Sequence, residues 1–500
     1  MNIELLIPDL TFIKPEIAIA ATLVIIVLFD LILPKRKSIL PYLSIIGLVV
    51  TLFLVIRQFG IDASVFKTGS DKGMFVTDNF GSFFKIIVLF ASLIVVFFSM
   101  GSSEVKNASD RHGEYYTLIF GMILGMFFMV SAVDLILIYL SIELLSLSSY
   151  VLAGFVKNTI RNSEASLKYV IYGGVSSGIM LFGISLIYGM TGTTNLYNIN
   201  AIIQLQSFPY ITFLIAGLFI LVGMGFKISA APFHFWTPDV YEGAPLPITA
   251  YLSVASKAAG FAILIRFIKI VFVGNVDASG NWELLDIIDW KSVVILLSIL
   301  TMTLGNFTAL WQDNMKRMLA YSSIAHAGYL LLGLAVMSNE GITAILVYFL
   351  VYAFMNLGAF FVVMLIANKT GSENLDDYKG LGKSIPLLGV TLAIFLVSLV
   401  GLPPTAGFIG KMMIFIALVD AKMIVVAIIA LLNTVVSLYY YIRVLKNLYL
   451  VQTEDEKPTI KLSLANGILL IFLTAPIIIF GIYFSPIIDF AKSSIAILHF

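Results

Sequence analysis

The sequence predicts an all-α polytopic membrane protein of about fourteen transmembrane helices. Of its 500 residues, 60% are hydrophobic and only 12% are charged, too few polar groups to solvate a soluble domain of this size. The apolar residues come in runs of about twenty, the length a helix needs to cross the hydrocarbon core of a bilayer. The gaps between runs, such as "KTGSENLDDYKGLGK", are long enough only to be connectors.

In chain order the predicted spans are Pro15–Leu33, Ile39–Ile56, Phe80–Met100, Tyr115–Ala132, Leu135–Val156, Ala165–Tyr188 and Tyr210–Ala231. They continue at Pro247–Ile270, Val293–Trp311, Met318–Met337, Ile342–Ile366, Ile385–Val419, Ile424–Val444 and Leu462–Phe484. One membrane domain therefore occupies residues 1–500. The opening "MNIELLIPDL" lacks a basic stretch and a small-residue cleavage site, so the first span reads as a retained helix.

Lysine and arginine set the orientation, because they accumulate on the cytoplasmic side. Seventeen of the thirty fall on the side of the "PKRK" loop that follows the first span, among them Lys157, Lys168, Lys316, Lys457 and Lys461. Nine, including Arg266 and Lys269, fall on the opposite side, and four lie within spans. The first side is expected to be cytoplasmic and both termini external.

Composition also excludes whole classes of function. A net charge of +1 with no dense basic patch argues against a nucleic-acid partner. The absence of cysteine rules out thiolate-held iron–sulfur clusters, disulfides and cysteine zinc sites, so redox chemistry is expected on another chain. The "GMGF" fragment is too little for a nucleotide loop, the four histidines lack metal-ligand spacing, and no catalytic triad is visible. Aromatic residues, 13% of the chain, read as interfacial belts and helix packing.

The charges inside spans need a specific explanation, since each costs roughly 2.5–3.5 kcal/mol at mid-helix and faces a protein interior or a water path. Lys85, close to the start of its span, is expected to snorkel to the interface. Lys227 lies deeper, in "LFILVGMGFKISAAPF", and Pro232 with the prolines of "PFHFWTPDVYEGAPLP" predicts a break beside it. A break exposes backbone carbonyls on which an ammonium could rest. The twelfth span repeats the pattern, with Pro403 and Pro404 at its centre and Lys411 just beyond, the pointer expected of internal repeats with sites near the midplane. Lys257 is nearly central in "PITAYLSVASKAAGFAILIRF", among small residues that permit close packing and water. Glu143, in "LILIYLSIELLSLSSYVLAG", shares a polar stripe with Ser141, Ser146, Ser148 and Ser149.

Burial disfavours a charged lysine and a nearby carboxylate favours it, so a movable carboxylate would switch proton release on and off. Glu143, Lys168, Lys227, Lys257, His326 and Lys411 are therefore read as a proton relay. Lys168, near the cytoplasmic edge of its span, is the expected movable partner of Glu143. His326, in "YSSIAHAGYLLLGL", has the side chain suited to relay work near neutral pH.

Three stretches, "VYEGAPLPITAYLSVASKAAGFA", "NMKRMLAYSSIAHAGYLLLGL" and "LVGLPPTAGFIGK", resemble the antiporter-like membrane subunits of proton-translocating NADH:quinone oxidoreductase, respiratory complex I. The resemblance runs from Glu114 to Tyr449, and the wording around Lys257 and His326 is similar to the N-type subunit. It implies fourteen helices: 1–112 with helices 1–3, two inverted five-helix repeats over 113–273 and 290–449, and 460–500 with the last helix. It implies that helices 7 and 12 are broken and that Glu143, Lys227, Lys257 and Lys411 carry the relay. A lysine at 411, where the M-type subunit has a glutamate, and the end of the chain soon after the last span both fit the N type. The resemblance further implies a bacterial inner membrane, neighbouring antiporter-like and small membrane subunits as partners, and no cofactor on this chain. NADH, FMN, iron–sulfur clusters and quinone would be handled by partner subunits. Two other readings share these helices: an Mrp-type cation/proton antiporter subunit, which would want more oxygen ligands for sodium than one central carboxylate, and a structural spacer, which would tolerate loss of the buried charges.

Overall fold

The computed structural model describes residues 9–67, 72–156, 160–206, 208–451 and 462–497. Its first six long helices are α1 (Lys14–Ile32), α2 (Leu40–Ile56), α3 (Asn79–Gly101), α4 (His112–Ser131), α5 (Leu135–Ala153) and α6 (Ile160–Thr191). Next, α7 (Tyr210–Ile228) and α8 (Trp236–Gly243) are two pieces of one interrupted path. The rod α9 spans 246–272 and contains a π turn at Leu252–Ser256, immediately before Lys257. Then come α10 (Trp290–Ala309), α11 (Met315–Ala335), α12 (Asn339–Thr370), a second interrupted path of α13 (Pro386–Val400) and α14 (Ala406–Asp420), α15 (Ile424–Tyr449) and α16 (Leu464–Ile482). Lys157, Lys457 and Lys461 of the predicted cytoplasmic set lie outside the described residues.

Among the described residues, twelve helices are long and apolar enough to cross a membrane. The other two predicted spans are helical but interrupted, at the π turn of α9 and at the gap between α13 and α14. Burial sorts the helices. The most apolar windows of α11 and α12 are 94% and 89% buried, whereas those of α1, α15 and α16 are 28% or less. The outer helices present side chains such as Leu31, Val425 and Leu464 to the surroundings, as a membrane-embedded bundle does.

Local chemistry sets the helix ends. Asp78 caps α3 by accepting from the Gly81 amide, Asp134 caps α5, and Asn314 caps α11. The first break follows Ser229, which ends α7 in the left-handed conformation. The second follows Gly401, φ 86°, at the end of α13. Both gaps contain prolines, which cannot donate to a continuing helix. Two hairpins decorate the end predicted to be external: β1 (Ala63–Val65) pairs antiparallel with β2 (Phe75–Thr77), and β3 (Val273–Val276) with β4 (Trp282–Leu284).

Candidate functional site

Lys227 is the second-to-last residue of α7 and is fully buried. Its ammonium has no hydrogen-bond partner among the described residues and lies 5.6 Å from the centre of the Tyr169 ring and 5.9 Å from that of Phe226. The break beside it is as predicted. The carbonyl seat is not, because the Phe226 carbonyl accepts from the Trp236 indole at 3.0 Å instead. Glu143 lines a narrow cavity with Tyr139, Ser146, Tyr150, Ser176 and Ser177, and one of its buried oxygens is unpartnered. It lies close enough to act electrostatically on Lys227. The neighbouring serines do not serve it: Ser146 donates to Ile142 and Ser149 to Ser146, both backbone carbonyls of the same helix.

Lys168 corrects one expectation. Its ammonium sits 2.5 Å from Asp239 and 2.7 Å from Glu164, with no bond to Glu143. Asp239 on α8 also accepts from Arg317, which holds Glu242 as well. Sequence could not reveal this competition, because α8 swings back beside α6 only once the break has formed.

Lys257 leaves the π turn of α9 and donates to Ser323 on α11, 2.8 Å to its carbonyl and 2.5 Å to its hydroxyl. The rod also touches the first break. A Cβ on Gly260 would stand 2.7 Å from the Ile228 side chain and 3.5 Å from the Lys227 Cβ, so only glycine allows this approach. His326, one turn beyond Ser323, bonds the Tyr348 hydroxyl at 2.6 Å through Nδ1 and the Tyr441 hydroxyl at 3.3 Å through Nε2. Tyr441 in turn contacts the Ser322 hydroxyl at 2.5 Å. Lys411, on α14, reaches back across the second break to the Val400 carbonyl at 2.8 Å, with its ammonium 4.5 Å from the Tyr329 ring centre. Here the predicted carbonyl seat is present.

The relay set is therefore split between two neighbourhoods joined by α9: Glu143 and Lys227 on one side, and Lys257, Ser323, His326 and Lys411 on the other. Sequence reasoning missed the hydroxyls of Ser323, Tyr348 and Tyr441, which are ordinary apolar-span residues until the fold places them. It also passed over His234, a buried histidine in the first break, although its position inside "PFHFW" was a usable signal.

Several cations assigned to connectors prove to be interior. Arg266 is completely buried and makes a two-pronged pair with Asp78 at 2.8 and 2.9 Å while donating to the Val130 carbonyl. Lys269 is buried with Asn339, 3.4 Å away, and Lys316 with Glu373, 2.9 Å away. Lys85 does not snorkel: it pairs with Glu16 at 2.7 Å, both side chains nearly inaccessible. In each case the ammonium or guanidinium finds a carboxylate or carbonyl from a distant part of the chain, a partner that local hydropathy cannot register.

A helical membrane bundle with two proline-broken paths, joined by a rod carrying a buried lysine, defines a multi-pass protein of the antiporter-like class. A family model described as "NADH:quinone oxidoreductase/Mrp antiporter, TM" matches residues 132–437. NADH-quinone oxidoreductase subunit N 2 of Chloroherpeton thalassium is 47% identical, covering 97% of this chain and 94% of its own length. NADH-quinone oxidoreductase subunit N of Chlorobium chlorochromatii is 46% identical, with the same coverage. The chain belongs to the NADH-quinone oxidoreductase subunit N family. Among solved structures, a chain of respiratory complex I from Thermus thermophilus is 28% identical with a TM-score of 0.78, covering 95% of this chain and 98% of its own. A chain of the Mrp complex from Dietzia shares the fold, with a TM-score of 0.79 at 21% identity over 98% of this chain and 96% of its own.

Proposed function

We propose that this chain is a proton-translocating membrane-arm subunit of an NADH:quinone oxidoreductase and works through buried side chains rather than through redox chemistry of its own. Electron transfer from NADH to quinone takes place on partner subunits, which carry the FMN and iron–sulfur clusters, and its free energy reaches this chain through the membrane arm. Protons enter toward Lys227, pass to Lys257, and leave through His326 and Lys411 toward the external face. Glu143 acts on Lys227, and Asp239 competes for Lys168. The two five-helix units, 113–273 and 290–449, each contribute one broken path, and the interrupted helices complete fourteen crossings. The membrane is the bacterial inner membrane, with both termini external.

The observation that carries this reading is the contact of Lys257 with Ser323 one turn from His326. It joins the buried groups of the two halves in a bundle otherwise built to exclude charge. The relatives named above are N subunits over nearly their whole length, which favours this reading over an Mrp-type antiporter.

The test is to purify the tagged chain at native expression and compare the wild type with Lys257→Ala. The wild-type chain should co-migrate with NADH:quinone reductase activity. The variant should still assemble while the number of protons moved per electron pair falls. Normal pumping by an assembled Lys257→Ala complex would reject the relay, and migration apart from the reductase would turn attention to ion flux by an Mrp-type assembly.

A further inference from the structure

A polar crevice separate from Glu143 and Lys227 opens at the end of the bundle predicted to be cytoplasmic. Its walls carry Glu104 from the segment after α3, Arg161 at the head of α6, Glu242 on α8 and Glu373 beyond α12. Lys316, 1% exposed, lies at its floor, held by Glu373 at 2.9 Å and by the Ala244 carbonyl at 2.8 Å. Glu373 is fixed from behind by the Asn314 amide at 3.1 Å.

What lies below the floor makes the crevice more than a surface feature. Lys316 and Ser323 are seven residues apart on α11, on one face and about 10 Å apart along the axis. Ser323 is the group on which the Lys257 ammonium rests. Beside it stand Tyr241 of α8 and Tyr352 of α12, whose buried hydroxyls both interact with Ser323 yet make no well-formed hydrogen bond to it or to any other described residue. A buried polar group left unsatisfied costs about 1–3 kcal/mol, and two such hydroxyls converging on one serine make a place where a water or a passing proton is stabilised. Tyr241 is followed directly by Glu242, a wall residue, and then within two positions by Ala244, which holds Lys316. Crevice floor and central lysine are thus separated by one hydroxyl-lined step.

We propose that this crevice is a second cytoplasmic proton entrance, reaching Lys257 by way of Tyr241 and Ser323 without passing Glu143 or Lys227. Resting on the relay reading, it adds a route that reading does not contain. The Lys316–Glu373 pair is its gate. While the ammonium sits on the Ala244 carbonyl its charge repels an incoming proton, and when Glu373 draws it outward into the crevice the step opens. Each hydroxyl then accepts a proton on its oxygen and passes its own onward, so Tyr241 and Ser323 end neutral and an uncharged Lys257 becomes an ammonium.

The entrance is tested in proteoliposomes of the assembled complex by protons moved per electron pair. Lys227→Met should retain part of this subunit's contribution, and adding Tyr241→Phe should remove what is left. Complete loss in Lys227→Met alone, or an unchanged residue of pumping in the double variant, overturns the second entrance. If Lys257→Met also leaves the ratio at the wild-type value, the relay itself has failed, a separate outcome. Because the chain has no cysteine of its own, Ser323→Cys supplies a readout independent of pumping. A small membrane-impermeant cationic thiosulfonate added from the cytoplasmic side should modify it, at least threefold more slowly when Glu373→Gln is also present, because the uncharged side chain no longer draws the Lys316 ammonium off the Ala244 carbonyl. No labelling from that side, or labelling indifferent to Glu373, overturns the gate.

Discussion

Lys411 rests on a carbonyl freed by a helix break, Lys257 on a serine, and Lys227, among the described residues, against aromatic faces with no hydrogen bond. These seats differ in how firmly they hold a charge: a carbonyl at 2.8 Å is a full hydrogen bond, whereas a ring face at 5.6 Å gives only a quadrupole attraction. Lys227 is therefore the ammonium most dependent on Glu143, and Glu143→Gln should depress pumping nearly as much as Lys227→Met, measured as protons per electron pair. Equal pumping by Glu143→Gln and wild type would break that link. His326 is clamped by two tyrosine hydroxyls, so His326→Leu should lower pumping while leaving assembly intact, and an unaffected ratio would remove it from the route. Arg266 poses the opposite case. Every polar atom of its guanidinium is engaged, and Asp78→Asn would leave a buried charge unmatched at a cost of about 3–5 kcal/mol. The expected outcome is a lower yield of assembled complex and earlier thermal dissociation, with near-normal pumping per assembled complex; unchanged thermal stability would show that the pair is dispensable.

At the scale of elements, the two broken paths place the lysines, and the second depends on one close contact. A Cβ on Gly407 would fall 1.9 Å from the Ser398 carbonyl oxygen, a backbone atom that cannot step aside. Gly407→Ala should therefore push α14 off the end of α13, pull Lys411 from the Val400 carbonyl, and reduce pumping as severely as removing the lysine itself; wild-type pumping would mean that the break can widen without consequence. The breaks were legible because proline chemistry is local: Pro232, Pro403 and Pro404 announce themselves whatever surrounds them. The helices were legible for the same reason, since twenty apolar residues need no partner to signal a crossing. Partners were not. Lys85 with Glu16, Arg266 with Asp78, and Lys168 with Asp239 each join residues 69 or more positions apart, and hydropathy assigns such charges to the nearest connector. The Ser323, Tyr348 and Tyr441 hydroxyls were hidden differently, because a tyrosine in a span looks like packing until a histidine is set against it.

For the molecule as a whole, the arrangement of charge gives a prediction about sidedness that does not depend on pumping. Helices that alternate direction bring Glu104, Arg161, Lys316 and Glu373 to one end and the two hairpins with Asp78, Arg266 and Lys269 to the other. If the lysine and arginine bias directs insertion, the first end faces the cytoplasm and the crevice draws on cytoplasmic water. The cysteine-free sequence lets this be read one position at a time. Lys106→Cys, exposed in the segment after α3, and Ser279→Cys, exposed in the β3–β4 turn, should label from opposite sides of sealed inner-membrane vesicles, Lys106→Cys only from the cytoplasmic face. The reverse pattern would turn the crevice into an exit and Lys411 into an entrance, with every buried contact unchanged. On the proposed relay, surface charges remote from it set which end faces the cytoplasm, and the labelling pattern decides which way the same buried contacts are read.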